Sequence, residues 1–114
     1  MNSFNSQYTM DHLFLREGTD YTKIPLTDIH YIQADGNYAY IQTNDKRFAV
    51  KRSLSTIAEE LESTDFVRAS RGLLVNFSQV NRISFADGVI ELNDHQLKMG
   101  KAYHADIKSR MPRL

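Results

Sequence analysis

The feature that most constrains this chain is a series of short runs in which apolar and polar residues alternate, broken by turn residues at intervals too short for helices. Alternation with period two puts successive side chains on opposite faces of a strand, whereas a helix needs apolar residues three and four apart. The first runs are Leu13 to Arg16, Tyr21 to Leu26, Asp28 to Ala34, Tyr38 to Thr43 and Arg47 to Lys51. A second set follows at Leu73 to Asn76, Asn81 to Phe85, Val89 to Leu92 and Gln96 to Met99. The breakers Glu17-Gly18-Thr19-Asp20, Asp35-Gly36-Asn37 and Asn44-Asp45 suit tight turns through side-chain capping or tolerance of positive φ. Asp87-Gly88 is a strong hairpin signal, and Asn93-Asp94 offers another turn.

Between the two sets one stretch reads as helix: Leu54, Ile57, Ala58 and Leu61 recur at helical spacing, Ser53 stands as N-cap, and Glu59, Glu60 and Glu62 face water. A weaker helical signal runs from Lys101 to Met111, where Tyr103 and Ile107 are four apart and Pro112 stops any continuation. The fold expected is mainly β, with one central helix and a short one at the C-terminal end. Residues 1–12, rich in Asn, Ser and Gln without a period, read as a polar tail or linker. That leaves one domain over 13–114, of a size for a single core.

The residue inventory excludes several chemistries. With no cysteine there is no disulfide framework, thiolate zinc site or cysteine nucleophile. Of the four histidines, His12, His30, His95 and His104, no two have a spacing that turns two ring nitrogens onto one ion, so no metal or cofactor is expected. The five glycines are isolated, which rules out a phosphate loop. Ser70-Arg71-Gly72 has no base beside it, and Glu59, Glu60, Glu62 and Asp65 are explained by a solvated face. No catalytic residues are expected. Apolar runs are too short to cross a bilayer and the N-terminus lacks a signal-peptide core, so a soluble, cytoplasmic domain is the expectation.

Fourteen basic and fourteen acidic side chains give a net charge of zero, but their distribution is uneven. Residues 46–52 carry four cations and no acid; Arg68, Arg71 and Arg82 lie in an acid-free stretch from Phe66 to Phe85; and Lys98 to Leu114 adds five cations against Asp106. Acids gather instead from Glu59 to Asp65. If the fold unites the basic segments, a polyanion can bind there. The alternative is that these side chains lie over the core and balance the acidic helix.

The segment from Asp65 to Asn76, with Phe66-Val67-Arg68-Ala69-Ser70-Arg71-Gly72-Leu73-Leu74-Val75-Asn76, resembles the central signature of the LytTR family of DNA-binding domains, found at the C-terminus of bacterial response regulators. Ile29 to Ala34, Lys51-Arg52-Ser53-Leu54, Ile83 with the hairpin to Leu92, and Gly100-Lys101-Ala102-Tyr103 match further family motifs in order, over about residues 12–110. Four positions depart: Ser70 stands for histidine, Gly72 and Gly100 for serine, and Lys101 for arginine. These departures predict altered sequence preference and weaker binding with the fold kept.

The resemblance implies an elongated arrangement of small antiparallel sheets and a domain that reads double-stranded promoter DNA with inter-strand loops in successive major grooves. Carried over by position, Asn37, Arg71 and Lys101 are the base readers, and Tyr38, Arg68, Ser70 and Lys98 the backbone contacts. Asn can bond adenine at two points, and Arg or Lys can bond guanine O6 and N7. Asn37 has a second reading, as a residue needed for a left-handed turn. The resemblance also implies a transcription regulator of two-component type, a homodimer on DNA repeats and a receiver domain N-terminal to this chain. The alternative is a β-rich protein-interaction or dimerisation module that has lost DNA reading.

Overall fold

The computed structural model describes residues 10–114; most of the expected polar tail, 1–9, lies outside them. The strands are β1 His12–Glu17, β2 Asp20–Pro25, β3 Ile29–Asp35, β4 Tyr38–Thr43, β5 Arg47–Val50, β6 Phe66–Ser70, β7 Leu73–Asn76, β8 Val80–Ser84, β9 Val89–Leu92 and β10 His95–Lys98. Helix α1, Leu54–Glu60, lies between β5 and β6, and α2, His104–Ser109, follows β10. All pairings are antiparallel. β1 and β2 form a hairpin, β5-β4-β3-β7-β6 a central sheet, and β10-β9-β8 a third sheet. The molecule is elongated, 44 × 35 × 23 Å, as the sequence reading expects.

The central sheet is covered on both faces. On one, Ile32, Ile41, Phe48, Phe66 and Leu74 pack with Leu54, Ile57 and Leu61 of α1 and with Leu15 of the hairpin. On the other, Tyr31, Val67, Leu73 and Val75 pack with Ile90 and Leu92 of the third sheet and Ile107 of α2. Every residue of β7 is buried, because its neighbours cover both its faces. A strand buried on both sides shows no alternation, which is why β6, also largely buried, is not found by a period-two search. It is the strand that the sequence reading missed.

Two bulges set which side chains meet which core. In β3 the register slips at His30, so Ile29 and Ile32, an odd number of residues apart, both reach the α1 side. An extra residue in one strand changes the face on which all later side chains emerge. In β6 the slip falls between Arg68 and Ser70; the intervening Ala69 is fully buried.

The local signals for α1 hold: the Ser53 Oγ accepts the Thr56 N–H at 3.1 Å. Asn76, 2% exposed, closes the end of β7. Its Nδ2 donates to the carbonyls of Leu26 at 3.1 Å and Ile29 at 3.0 Å, and its Oδ1 accepts from the Ser78 N–H and hydroxyl. One side chain thus clamps the 3₁₀ turn Leu26–Asp28 to the turn that follows β7.

Candidate nucleic-acid interface

The β3–β4 turn pairs Asp35 with Tyr38 across Gly36 and Asn37. Gly36 takes φ +62°, the left-handed conformation that costs an L side chain. Asn37 is not in that conformation, so its turn-forming reading is set aside: the backbone demand falls on the glycine, and Asn37 stands exposed. Tyr38, 43% exposed, lies with its ring 6.3 Å from that of Tyr40, over which the Arg47 guanidinium sits at 4.6 Å.

The β6–β7 turn presents Arg71 and Gly72 between the paired Ser70 and Leu73. Its shape is braced from within. The Ser70 Oγ accepts the Gly72 N–H at 3.3 Å; the Arg68 Nε donates to the Ser70 carbonyl at 2.9 Å, and its Nη2 donates to the Arg71 carbonyl. A guanidinium has five N–H donors, so Arg68 holds the turn with two and keeps three. Arg71 is exposed.

Backbone hydrogen bonds tie three segments together. The Ala34 N–H, beside the first turn, donates to the Gly72 carbonyl at 2.9 Å, and the Gly100 N–H donates to the Ala69 carbonyl at the bulge at 2.8 Å. Gly100 sits so close that a Cβ on it would lie 3.2 Å from Tyr103 Cδ2 and 3.5 Å from the Ser70 Cβ. Lys101 opens the 3₁₀ turn directly after this contact, and Lys98 ends β10, exposed. The β6 bulge therefore does chemical as well as geometric work, freeing one carbonyl to hold the segment that carries Lys101.

Asn37, Tyr38, Arg68 and Arg71 line one open groove of about 600 Å³, with no acidic side chain in its wall. Lys98 and Lys101 lie outside it, joined to it through Gly100 and β6. The groove also takes in Lys51 and Arg52, which the sequence reading counted as charge and as part of a family motif but gave no role in binding; the signal that points to them is the basic run 46–52 opening onto the Ser53 cap.

Ion pairing sorts the cations. Arg52 pairs with Glu60 at 3.0 Å, Arg82 with Glu91 at 3.0 Å, and Lys46 with Glu17. The Lys46 ammonium and then the Thr22 hydroxyl hold the Glu17 carboxyl below its ordinary value. Lys51, Arg71, Lys98 and Lys101 have no ion pair among the described residues. Of the paired cations only Arg52 lines the groove, and Lys51, Arg71, Lys98 and Lys101 stand unpaired in it or beside the joined segments. The zero net charge is thus compatible with a local positive surface.

Folding brings two histidines closer than their sequence separation suggests: the His30 and His95 rings lie 5.8 Å apart. The His30 Nε2 is 2.6 Å from the Asn44 Oδ1. They remain a pair; among the described residues no three metal-ligating side chains converge. Nor is any described helix long and apolar enough to cross a membrane.

The fold is thus a β-rich frame in which two turns and the β5–α1 link line one acid-free groove with four cations and an exposed amide. The chain belongs to the LytTR family: the model of the LytTr DNA-binding domain matches residues 19–111. Its fold is similar to that of the LytTr DNA-binding domain of a putative methyl-accepting/DNA response regulator from Bacillus cereus. The TM-score is 0.76 at 15% identity, covering 89% of this chain and 96% of that one. No curated protein sequence matches it. The family is one of DNA-binding domains, not of enzymes.

Proposed function

We propose that this chain is the DNA-binding output domain, over residues 13–114, of a bacterial transcription regulator of two-component type acting in the cytoplasm. It reads double-stranded promoter DNA with its turns in successive major grooves. Asn37, Arg71 and Lys101 contact base edges, while Tyr38, Arg68, Ser70 and Lys98 hold the backbone and set register. It binds repeated sites as a homodimer, with a receiver domain N-terminal to the polar tail.

The observation that carries this reading is the hydrogen-bonded union of three turns, Ala34 to Gly72 and Gly100 to Ala69, beside a groove without acids. Reading by turns demands that they keep a fixed spacing before DNA arrives, and backbone bonds supply that rigidity. Hydroxyls usual in the family are absent at Gly72 and Gly100, and Lys101 lacks the planar fork of arginine, so affinity leans on the remaining cations and on dimeric binding.

The test is selection of a duplex from a random pool, followed by binding measured against salt. Affinity is expected to fall steeply as salt rises. Arg71→Ala should cost about 1–3 kcal/mol and relax selection at one base position. If the variant selects the same sequence with the same strength, Arg71 is not a reader. Assembly in light scattering with no DNA affinity at low salt would support an interaction module instead.

A further inference from the structure

The proposed readers account for only part of the groove's lining. Besides the β3–β4 turn, with Asn37 and Tyr38, and the β6–β7 turn with Arg68 and Arg71, the link between β5 and α1 lines it with Lys51 and Arg52; the pairing of Ala39 with Val50 sets Lys51 beside Tyr38 in register. At about 600 Å³ the groove falls in the range that holds a small ligand. Four cations and no acid line it, so its chemistry selects an anion.

The four cations are not equally available. Arg52 is held by Glu60 at 3.0 Å, and Arg68 braces the carbonyls of Ser70 and Arg71. Arg71 is assigned to a base. Lys51 alone of the four is exposed, without an ion pair among the described residues, and without a role. Its neighbour Arg52 draws Glu60 into a salt bridge, which leaves the Lys51 ammonium without that carboxylate as a competitor. An ammonium is a compact, strongly hydrated point charge, suited to an oxyanion and poor at two-point base recognition.

We propose that Lys51 seats a DNA backbone phosphate in this groove, beside the first reading turn. The ligand is a phosphodiester, and the contact sets position without reading sequence. This assignment rests on the DNA-reading function proposed above. It makes the β5–α1 link a fourth point of attachment and accounts for the cationic start of the helix, which no base reader uses.

The experiment uses the full chain, a duplex selected by the unaltered protein and an unrelated duplex of equal length. Affinities are measured from 50 to 200 mM salt for the parent, Lys51→Ala, Lys51→Arg and Lys46→Ala. Each neutralised phosphate contributes about 0.9 to the slope of log affinity against log salt. Over this fourfold rise the Lys51→Ala variant should therefore lose about 3.5-fold less affinity than the parent, on both duplexes alike. Lys51→Arg should restore the parent slope. Lys46→Ala, at the other end of β4, should match the parent.

An unchanged slope in Lys51→Ala overturns the phosphate seat, as does a change in the preference between the two duplexes, which would mean base contact. The parallel Arg71→Ala measurement separates the two failures. Retained selectivity in that variant defeats the reading assigned to Arg71 while the Lys51 slope stands on its own. Failure of the parent to bind either duplex at low salt defeats both.

Discussion

At the scale of single residues, two side chains do work that their sequence positions only hint at. Arg68 has the look of one more cation, yet its guanidinium reaches back to two carbonyls of the turn it precedes. The planar fork lets one side chain span both, which a lysine cannot do. Asn76 is structural for a different reason. It is buried, and each of its polar atoms is satisfied by backbone or by Ser78. Substitution Asn76→Leu keeps the volume but removes the donors to the Leu26 and Ile29 carbonyls. The Leu26 carbonyl keeps the Ile29 N–H and the Ile29 carbonyl keeps the Gln79 Nε2, so neither is orphaned and the loss is expected to be about 1–2 kcal/mol. A lower urea midpoint at an unchanged m-value would confirm it, whereas an unchanged midpoint would show that the clamp is dispensable.

Among the elements, the β3–β4 hairpin is a turn whose backbone is specified by one residue while the next is left exposed. Gly36 carries the left-handed backbone, and Asn37 is thereby free to face outward. Nothing lies within 4 Å of where a Cβ on Gly36 would stand, so an added methyl meets no neighbour and the cost is conformational alone. Gly36→Ala is expected to lower stability by about 1–2 kcal/mol and to weaken DNA binding by turning Asn37. Gly36→Asn should do less harm, since asparagine visits this conformation. Calorimetry with binding isotherms for the two variants checks the order; equal effects would contradict the backbone explanation. The β6 bulge shows the converse case. No turn residue marks it, because it arises from pairing with β7 and from docking of Gly100 on the Ala69 carbonyl.

For the whole molecule, the central sheet is a platform with a separate core on each face, and the proposed interface lies where its turns meet the C-terminal segment. That segment is held by Ile107, which is fully buried against the third sheet and β6. Truncation of a buried isoleucine costs about 2–5 kcal/mol. Ile107→Ala is therefore expected to destabilise the domain and, by loosening α2, to weaken DNA binding as is expected of Lys101→Ala, although residue 107 is fully buried. Binding measured well below the melting temperature separates the two effects. Normal affinity there would show that the position of Lys101 does not depend on α2.

Much of this architecture could be read from local pattern. Period-two runs and their breakers located most of the strands; the helical spacing at Leu54 to Leu61 and the Ser53 cap located α1; and Tyr103, Ile107 and Pro112 marked the short last helix. These are short-range effects, in which backbone geometry and one buried face dictate residue type within a few positions. The motifs around Phe66 to Asn76 also carried the family. What could not be read is β6 as a strand, the bulges, the acid partners of Arg52 and Arg82, and the groove that gathers Lys51 with Asn37, Arg71 and Tyr38. Each depends on which strands become neighbours. Charge along the chain is set by sequence, but which cations are neutralised and which remain free is decided only when folding brings Glu60 to Arg52 and Glu91 to Arg82, and where the Lys101 segment lies only when Gly100 docks on Ala69.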